Sequence, residues 1–308
     1  MKVYDKLDLF KKLEYAVVTS GTFDGVHLGH QAILKRVLEL ARMHGGESVL
    51  LTFWPHPRLV LNNDSNLLRL LNTIGEKEII LSEFGIDHLV KIPFTREFAQ
   101  TSSEEFIRKI LVEKIGTRKL VIGYNHRFGR NREGSFENLV NKSRQYGFEV
   151  EEIPKHDVDH VGISSTIIRQ ALERGDIDTA NRHIGRPYLV IGIVIQGDKL
   201  GRTIGYPTAN IHVPEEYKLI PHDGTYAVLV EFNDHRYAGM LNIGVRPTVN
   251  GKHRRIEVHI LNFNREIYGQ ELSIHFIRRI RDERKFESLD ALKNQLEKDR
   301  DFVKNLLS

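Results

Sequence analysis

The 308-residue sequence predicts an α/β N-terminal part, a mainly parallel sheet with helices on it, joined to a small antiparallel β-barrel with a C-terminal helix. Three observations carry this expectation. Strand-like and helix-periodic runs alternate over residues 1–183, the pattern of an open parallel sheet. From residue 184 the alternation gives way to short strand-like runs separated by Gly, Pro and Asn, the pattern of a barrel or sandwich. A helix-periodic tail from Leu289 to Leu307 closes the chain.

In the first part the expected strands are Tyr15–Ser20, Glu47–Phe53, Asp87–Ile92, Arg118–Gly123 and Phe148–Ile153. Helical runs separate them at Gln31–Met43, Gly75–Phe84, Glu104–Ile115 and Ser135–Tyr146, with hydroxyl caps at Thr73 and Ser102 for two of them. In the second part the expected strands are Tyr188–Gln196, Thr225–Phe232, Arg236–Ile243, Ile256–Leu261 and Glu271–Arg279.

Composition narrows the chemistry. Cysteine is absent, which excludes disulfides, thiolate metal sites and cysteine nucleophiles, so a metal must use oxygen or imidazole ligands. No apolar run approaches the roughly 20 residues that span a bilayer, and the N-terminus lacks a signal-peptide core, so a cytoplasmic protein with no membrane partner is expected. The net charge of +4 divides into about +1 for residues 1–183 and about +3 for residues 184–308. With no strongly basic half or tail, and with acidic residues interrupting the Arg278–Lys285 cluster, no nucleic-acid partner is expected.

The stretch Gly21-Thr22-Phe23-Asp24-Gly25-Val26-His27-Leu28-Gly29-His30 lies between a strand and a helix. A helix N-terminus offers unpaired N–H groups and positive dipole, and glycines admit a polyanion to the backbone. His27 and His30, one turn apart, add two donors. Neither GxGxxG nor GxxxxGK[ST] is present, so the turn is neither a dinucleotide fingerprint nor a Walker loop. It reads as a site for a nucleotide triphosphate. Thr52-Phe53-Trp54-Pro55-His56-Pro57 and Tyr124-Asn125-His126-Arg127-Phe128-Gly129-Arg130 follow two further strands and supply polar and aromatic lining for a flat ring. Ser164, Ser165 and Thr166 open another helix with Arg169 one turn on, a second anion-binding pattern.

In the second part Gly201-Arg202-Thr203-Ile204-Gly205-Tyr206-Pro207-Thr208-Ala209-Asn210 combines a glycine-bearing basic loop with two oxygen donors two residues apart. If that segment is extended, Thr208 and Asn210 share a face and could hold one hard cation. Glu257, on an apolar-rich strand, is either a general base or the polar face of an edge strand.

The order of these segments resembles the bacterial bifunctional riboflavin kinase/FMN adenylyltransferase family, also called FAD synthetase, over essentially the whole length. GTFDGVHLGH looks like its HxGH nucleotidyltransferase signature, ISSTIIR like the partner motif, and TFWPHP and IGYNHRFGRNREG like its flavin-side segments. GRTIGYPTAN, DGTYA, NIGVRPT and EVHILNFNREIYG are similar to its riboflavin kinase module.

The resemblance implies a Rossmann-like nucleotidyltransferase domain at 1–183 and a riboflavin kinase barrel at 184–308. It implies that His27, His30, Ser164, Ser165 and Arg169 hold ATP phosphates, with Gly21, Phe23, Asp24, Gly29 and Thr166 in the same nucleotide site. Pro55, His56, Asn125 and Phe128 would place FMN. Gly201, Arg202, Gly205 and Pro207 would form the second nucleotide loop, Thr208 and Asn210 would hold Mg²⁺ with ATP, and Glu257 would be the base. The implied substrates and products are riboflavin, FMN, FAD and ATP. Two positions depart from the family pattern, His126 where an aromatic is usual and Asn262 where an aspartate is usual. Other readings compatible with the sequence are a single-activity adenylyltransferase with a flavin-binding barrel and a non-catalytic flavin- or nucleic-acid-binding protein.

Overall fold

The computed structural model describes residues 1–61, 68–124, 126–154, 163–197, 200–248 and 251–307. By backbone contacts the chain forms two compact units, Met1–Leu70 with Lys77–Ser165, and Leu71–Glu76 with Thr166–Ser308.

The first unit is a six-stranded, all-parallel sheet. Its strands are β1 (Lys2–Tyr4), β2 (Ala16–Ser20), β3 (Glu47–Trp54), β4 (His88–Pro93), β5 (Thr117–Gly123) and β6 (Glu149–Ile153), in the order β1-β4-β3-β2-β5-β6. All five residues of β2 are buried, as a central strand covered on both faces requires. Its alternating side chains enter two different cores. Val17 joins Leu50, Leu89 and Val121 beneath Leu34, Val37 and Ala41 of α1 (Leu28–Met43). Ala16 and Val18 join Val49, Leu51 and Leu120 beneath Phe106, Ile107, Ile110 and Leu111. That second cover begins as a helical turn at Ser103–Glu105, capped by the Ser102 hydroxyl, and runs on as a π-helix over Phe106–Ile115.

Strand order places the signature turn. From β2 the chain moves outward through β3 and β4 on one side, then returns to lay β5 and β6 on the other. The reversal falls at the carboxyl end of β2, where ligands of open α/β sheets bind. GTFDGVHLGH begins immediately after Ser20, the last residue of that strand.

The second unit is a closed antiparallel barrel. Its strands are β7 (Tyr188–Ile195), β8 (Ala209–His212), β9 (Gly224–Phe232), β10 (His235–Thr248), β11 (Gly251–Ile260) and β12 (Glu271–Arg281), in the order β10-β11-β8-β7-β12-β9, with β9 pairing β10 to close it. Tyr188, Val190, Val228, Val230, Leu241, Ile243, Val258, Ile274 and Phe276 fill the interior. Outside, a helix over Leu289–Leu307 packs Val303 against Ala227, Met240 and Leu261, and its buried Asp299 takes Arg281 at 2.9 Å. Ile168, Ala171, Leu172, Ile177, Ala180 and Ile184 extend the same core.

Within this unit Glu76 and Lys218 form a fully buried ion pair at 2.6 Å. Every polar demand of the pair is met: Lys218 also donates to the Leu71 and Leu189 carbonyls at 2.7 Å, and Glu76 accepts from the Ile191 amide at 2.9 Å. The Thr73 cap expected from sequence is present, since Glu76 N–H donates to Thr73 Oγ1 and Thr73 N–H donates to Glu76 Oε2, a reciprocal capping box.

Candidate active sites

The signature turn of the first unit is strained and pinned. Phe23 and Val26 adopt φ of 46° and 39°, left-handed values that L side chains rarely take, with Gly25 at 89° between them. For a bulky and a β-branched residue such geometry costs about 1–3 kcal/mol each, and it persists only where the surroundings over-determine it. Here three carbonyls of the turn each accept from a side chain on a different element. Thr22 O accepts from Lys77 Nζ at 2.7 Å, Asp24 O from Ser165 Oγ at 2.9 Å, and Val26 O from Gln31 Nε2 at 2.9 Å. Ser164 and Ser165 lie in the same unit as the GTFDG turn, and Ser165 is bonded to it.

His27 is the N-cap of α1: its Nδ1 accepts, at a long 3.4 Å, from the His30 amide. When an Nδ1 accepts in this way, a neutral imidazole carries its proton on Nε2. His27 is buried, and its ring stacks on His30 with centroids 3.7 Å apart. Burial, followed by the charges of His27 and Lys77, holds the His30 pKa well below the usual histidine value. His30 is therefore a neutral imidazole at neutral pH, and its buried Nδ1 has no hydrogen-bond partner among the described residues. A neutral imidazole carries one proton and so offers one donor nitrogen. Gly29, buried in the first turn of α1, keeps that turn free of a side chain, while Gly21 lies close under the Phe23 ring.

The flavin-side segments occupy neighbouring strand ends. His56 is buried and its Nδ1 accepts from the Arg58 amide, so it caps the short helix at Pro57–Leu61 behind an exposed Pro55. His126 reaches Ser20 Oγ at 3.4 Å, which joins the loop after β5 to the end of β2. Its ring stacks on Phe128, and Phe128 is itself buried against Phe106. Gly129 fixes this loop, because a Cβ there would meet Ser103 N at 2.7 Å; Glu133 then accepts from that same amide. Asn125 lies outside the described residues.

Thr166 and Arg169 continue the helix Ser165–Glu173; Thr166 is exposed and Arg169 half-buried. The remaining expected residues gather in the second unit. Asn210 lies opposite Glu257 in the β8–β11 ladder, and Glu257 lies opposite Asn242 in the β11–β10 ladder. Asn242 in turn faces Thr225, whose hydroxyl donates to its Oδ1 at 3.1 Å. The row Asn210, Glu257, Asn242, Thr225 is polar, whereas the flanking Leu241, Ile243, Ile256 and Val258 point into the core. It therefore runs on the outer face of the barrel.

The GRTIGYPT segment folds back on itself. Tyr206 N–H donates to Gly201 O, and a Cβ on Gly201 would lie 2.2 Å from the Tyr206 carbonyl and 3.5 Å from Thr208 Oγ1. Gly205 has φ of 86°, Arg202, Pro207 and Thr208 are exposed, and His259 is close to the Pro207 carbonyl through Nδ1 at 2.7 Å. A cavity of about 300 Å³ opens beside Asn210, lined also by Gln196, Gly197, His212, Arg254 and Arg255. Gly197 lies against the Asn210 amide, which a Cβ there would displace. An amide, an imidazole and two guanidinium groups line this cavity, and one guanidinium, that of Arg254, is paired with Asp223 at 2.7 Å.

Sequence reasoning missed Gln31, Lys77, Asn242 and Glu283. Asn242 Nδ2 donates to Glu283 Oε2 at 3.2 Å, and burial foremost raises the Glu283 pKa, with Asp223 and Glu257 adding to it. Lys77 is 4% exposed, and burial lowers its pKa to about 8.

Comparison with known proteins decides the family. The FAD synthetase family model matches residues 9–167 and the riboflavin kinase family model residues 184–307. The chain belongs to the bifunctional riboflavin kinase/FMN adenylyltransferase family. It is 40% identical to the bifunctional riboflavin kinase/FMN adenylyltransferase of Listeria monocytogenes over 92% of this chain and 90% of the relative. To the Escherichia coli K12 enzyme of the same name it is 37% identical over 93% and 91%. Among solved structures a Streptococcus pneumoniae protein titled a macrolide-efflux protein superposes with a TM-score of 0.89 at 32% identity, over 99% of this chain and 98% of that one. Efflux is that title's description alone; no helix among the described residues of this family member is long and apolar enough to cross a membrane.

Proposed function

We propose that the chain makes FAD in two ATP-dependent steps, with the working boundary at residue 184. The barrel phosphorylates riboflavin to FMN; the N-terminal domain, 1–183, then transfers AMP from a second ATP to FMN, releasing pyrophosphate. The observation that carries this reading is the pairing of an HxGH turn, pinned at the switch point of a parallel sheet, with a polar row bearing Glu257 on a closed barrel in one chain.

The two sites need different groups because their nucleophiles differ. Riboflavin attacks with an alcohol. Glu257 accepts its proton as the oxygen approaches the γ-phosphorus, and Asn242, fixed between Thr225 and Glu283, holds the neighbouring position in the row. FMN attacks with a phosphate already ionised at neutral pH, so its site needs no base. It must offset the repulsion between a dianion and a triphosphate. His27 donates from Nε2, and His30, neutral in the free site, donates from a ring nitrogen as charge develops. Ser164, Ser165 and the first turn of α1, with Gly29, take the remaining phosphate oxygens, while Gly21, Phe23 and Asp24 shape the turn. Pro55, His56, Asn125 and Phe128 orient the flavin.

Thr208 and Asn210 are neutral oxygen donors, and no cluster of three His, Asp or Glu that could hold a metal exists among the described residues. That donor set fits Mg²⁺ held jointly with ATP phosphates and water rather than by a protein cage. When bound, Mg²⁺ neutralises phosphate charge in the transition state. Gly201, Arg202, Gly205 and Pro207 shape the loop over that nucleotide.

Chromatography of purified protein with riboflavin, ATP and Mg²⁺ tests the reading. FMN appearing first and FAD after it supports two activities. FMN alone removes the adenylyltransferase, and no product leaves a flavin-binding protein.

A further inference from the structure

Lys77 has no part in the chemistry described so far, yet it is buried at the base of the signature turn with its Nζ on Thr22 O at 2.7 Å. The opposite end of the turn shows what a merely structural tie looks like. There Val26 O is held at 2.9 Å by a neutral amide, Gln31. A neutral donor suffices for a carbonyl, and burying an ammonium without a close carboxylate is unfavourable. Among the described residues the ammonium makes no other hydrogen bond; the charges acting on it are Asp24 and Glu78. It also lies close enough to His30 for its charge to act on that ring.

We propose that Lys77 is a positioning residue of adenylyl transfer, fixing the strained Thr22–Val26 turn and setting positive charge beneath it for the polyphosphate. The inference rests on the reading of GTFDGVHLGH as the adenylyl-transfer site. Its physical content is preorganisation. The turn carries left-handed Phe23 and Val26, so without its ties it relaxes, and the N–H groups and imidazoles it presents lose their alignment. Charge fixed in a water-poor position acts on the incoming triphosphate without reorganising during the reaction.

Full-length K77M, K77R and Q31L are compared with the unaltered protein for FAD formation from supplied FMN and ATP. FMN formation from riboflavin is the internal check on folding. The expected result for K77M is a kcat for FAD at least tenfold lower with KM for FMN within threefold. Its kinase rate should be unchanged, because Lys77 has no part in the barrel site. K77R should return kcat to within threefold, and Q31L, which removes only a neutral tie, should lose less than K77M. A K77M kcat within twofold of normal overturns the proposal. So do equal losses in K77M, K77R and Q31L, which would mark Lys77 as a tie whose charge is immaterial. If K77M fails to fold, the comparison of K77R with Q31L decides on the same criterion. Retention of FAD formation by H30A instead overturns the reading of the turn itself.

Discussion

Glu257 lies directly opposite Asn210 across the β11–β8 ladder. Residues so paired have Cβ atoms about 4.5–5.5 Å apart, so a base at Glu257 and a phosphate held beside Asn210 would reach one hydroxyl. Substituting E257Q preserves the row but removes the proton acceptor. The expected outcome is a loss of about 10²–10⁴-fold in FMN formation from riboflavin, with FAD formation from supplied FMN intact. Steady-state rates of the two half-reactions check it, and unchanged kinase turnover would remove Glu257 from the mechanism.

The Glu76–Lys218 pair predicts a stability effect unrelated to chemistry. Both side chains are fully buried. Removing one partner leaves the other charged in a dry site and costs about 3–5 kcal/mol. The Ile191 amide, which donates to Glu76 Oε1, is the natural reporter. In E76Q its hydrogen-exchange protection should fall by about two to four orders of magnitude, since about 1.4 kcal/mol is a factor of ten. An unchanged exchange rate at Ile191 would contradict the pair's role.

His126 predicts a pH effect. Burial, with Arg132 as the lesser cause, lowers its pKa to about 4 in the folded protein. Between the usual histidine pKa of about 6.5 and that value the unfolded chain binds a proton that the folded chain does not. Its contribution to stability is therefore complete above about pH 6.5 and is lost as pH falls towards 4. In H126F, which places a phenyl ring against Phe128, the drop in thermal midpoint between pH 7 and pH 5 should shrink. An identical drop in both proteins would show that His126 does not titrate with folding.

Much of this was legible in the sequence, for identifiable reasons. The parallel sheet could be read because its strands are buried on both faces and read as apolar runs, as Ala16–Ser20 does. The tail helix Leu289–Leu307 appears over the residues its periodicity marks. The three-residue β1 was not legible, being shorter than any periodicity test resolves. β8 was visible only as a condition on Thr208 and Asn210; the structure begins it at Ala209, leaving Thr208 just ahead of the strand. Within the site, glycine and histidine spacing marked GTFDGVHLGH, but nothing marked Lys77. It lies 55 residues from Thr22, in a helix where a lysine ordinarily means a solvated face. Glu283 was hidden in the same way, inside a charged run that reads as surface until Asn242 is found against it.

The central claim is that two reactions run at sites that can be disabled one at a time, and His30 tests it most directly. H30A removes one donor from the adenylyl-transfer site, an effect of the order of 10²–10³-fold where such donors stabilise developing charge. Given riboflavin, ATP and Mg²⁺, the unaltered protein should carry flavin through FMN to FAD, whereas H30A should accumulate FMN and stop. Loss of FMN together with FAD in an H30A protein of unchanged thermal midpoint would contradict the account.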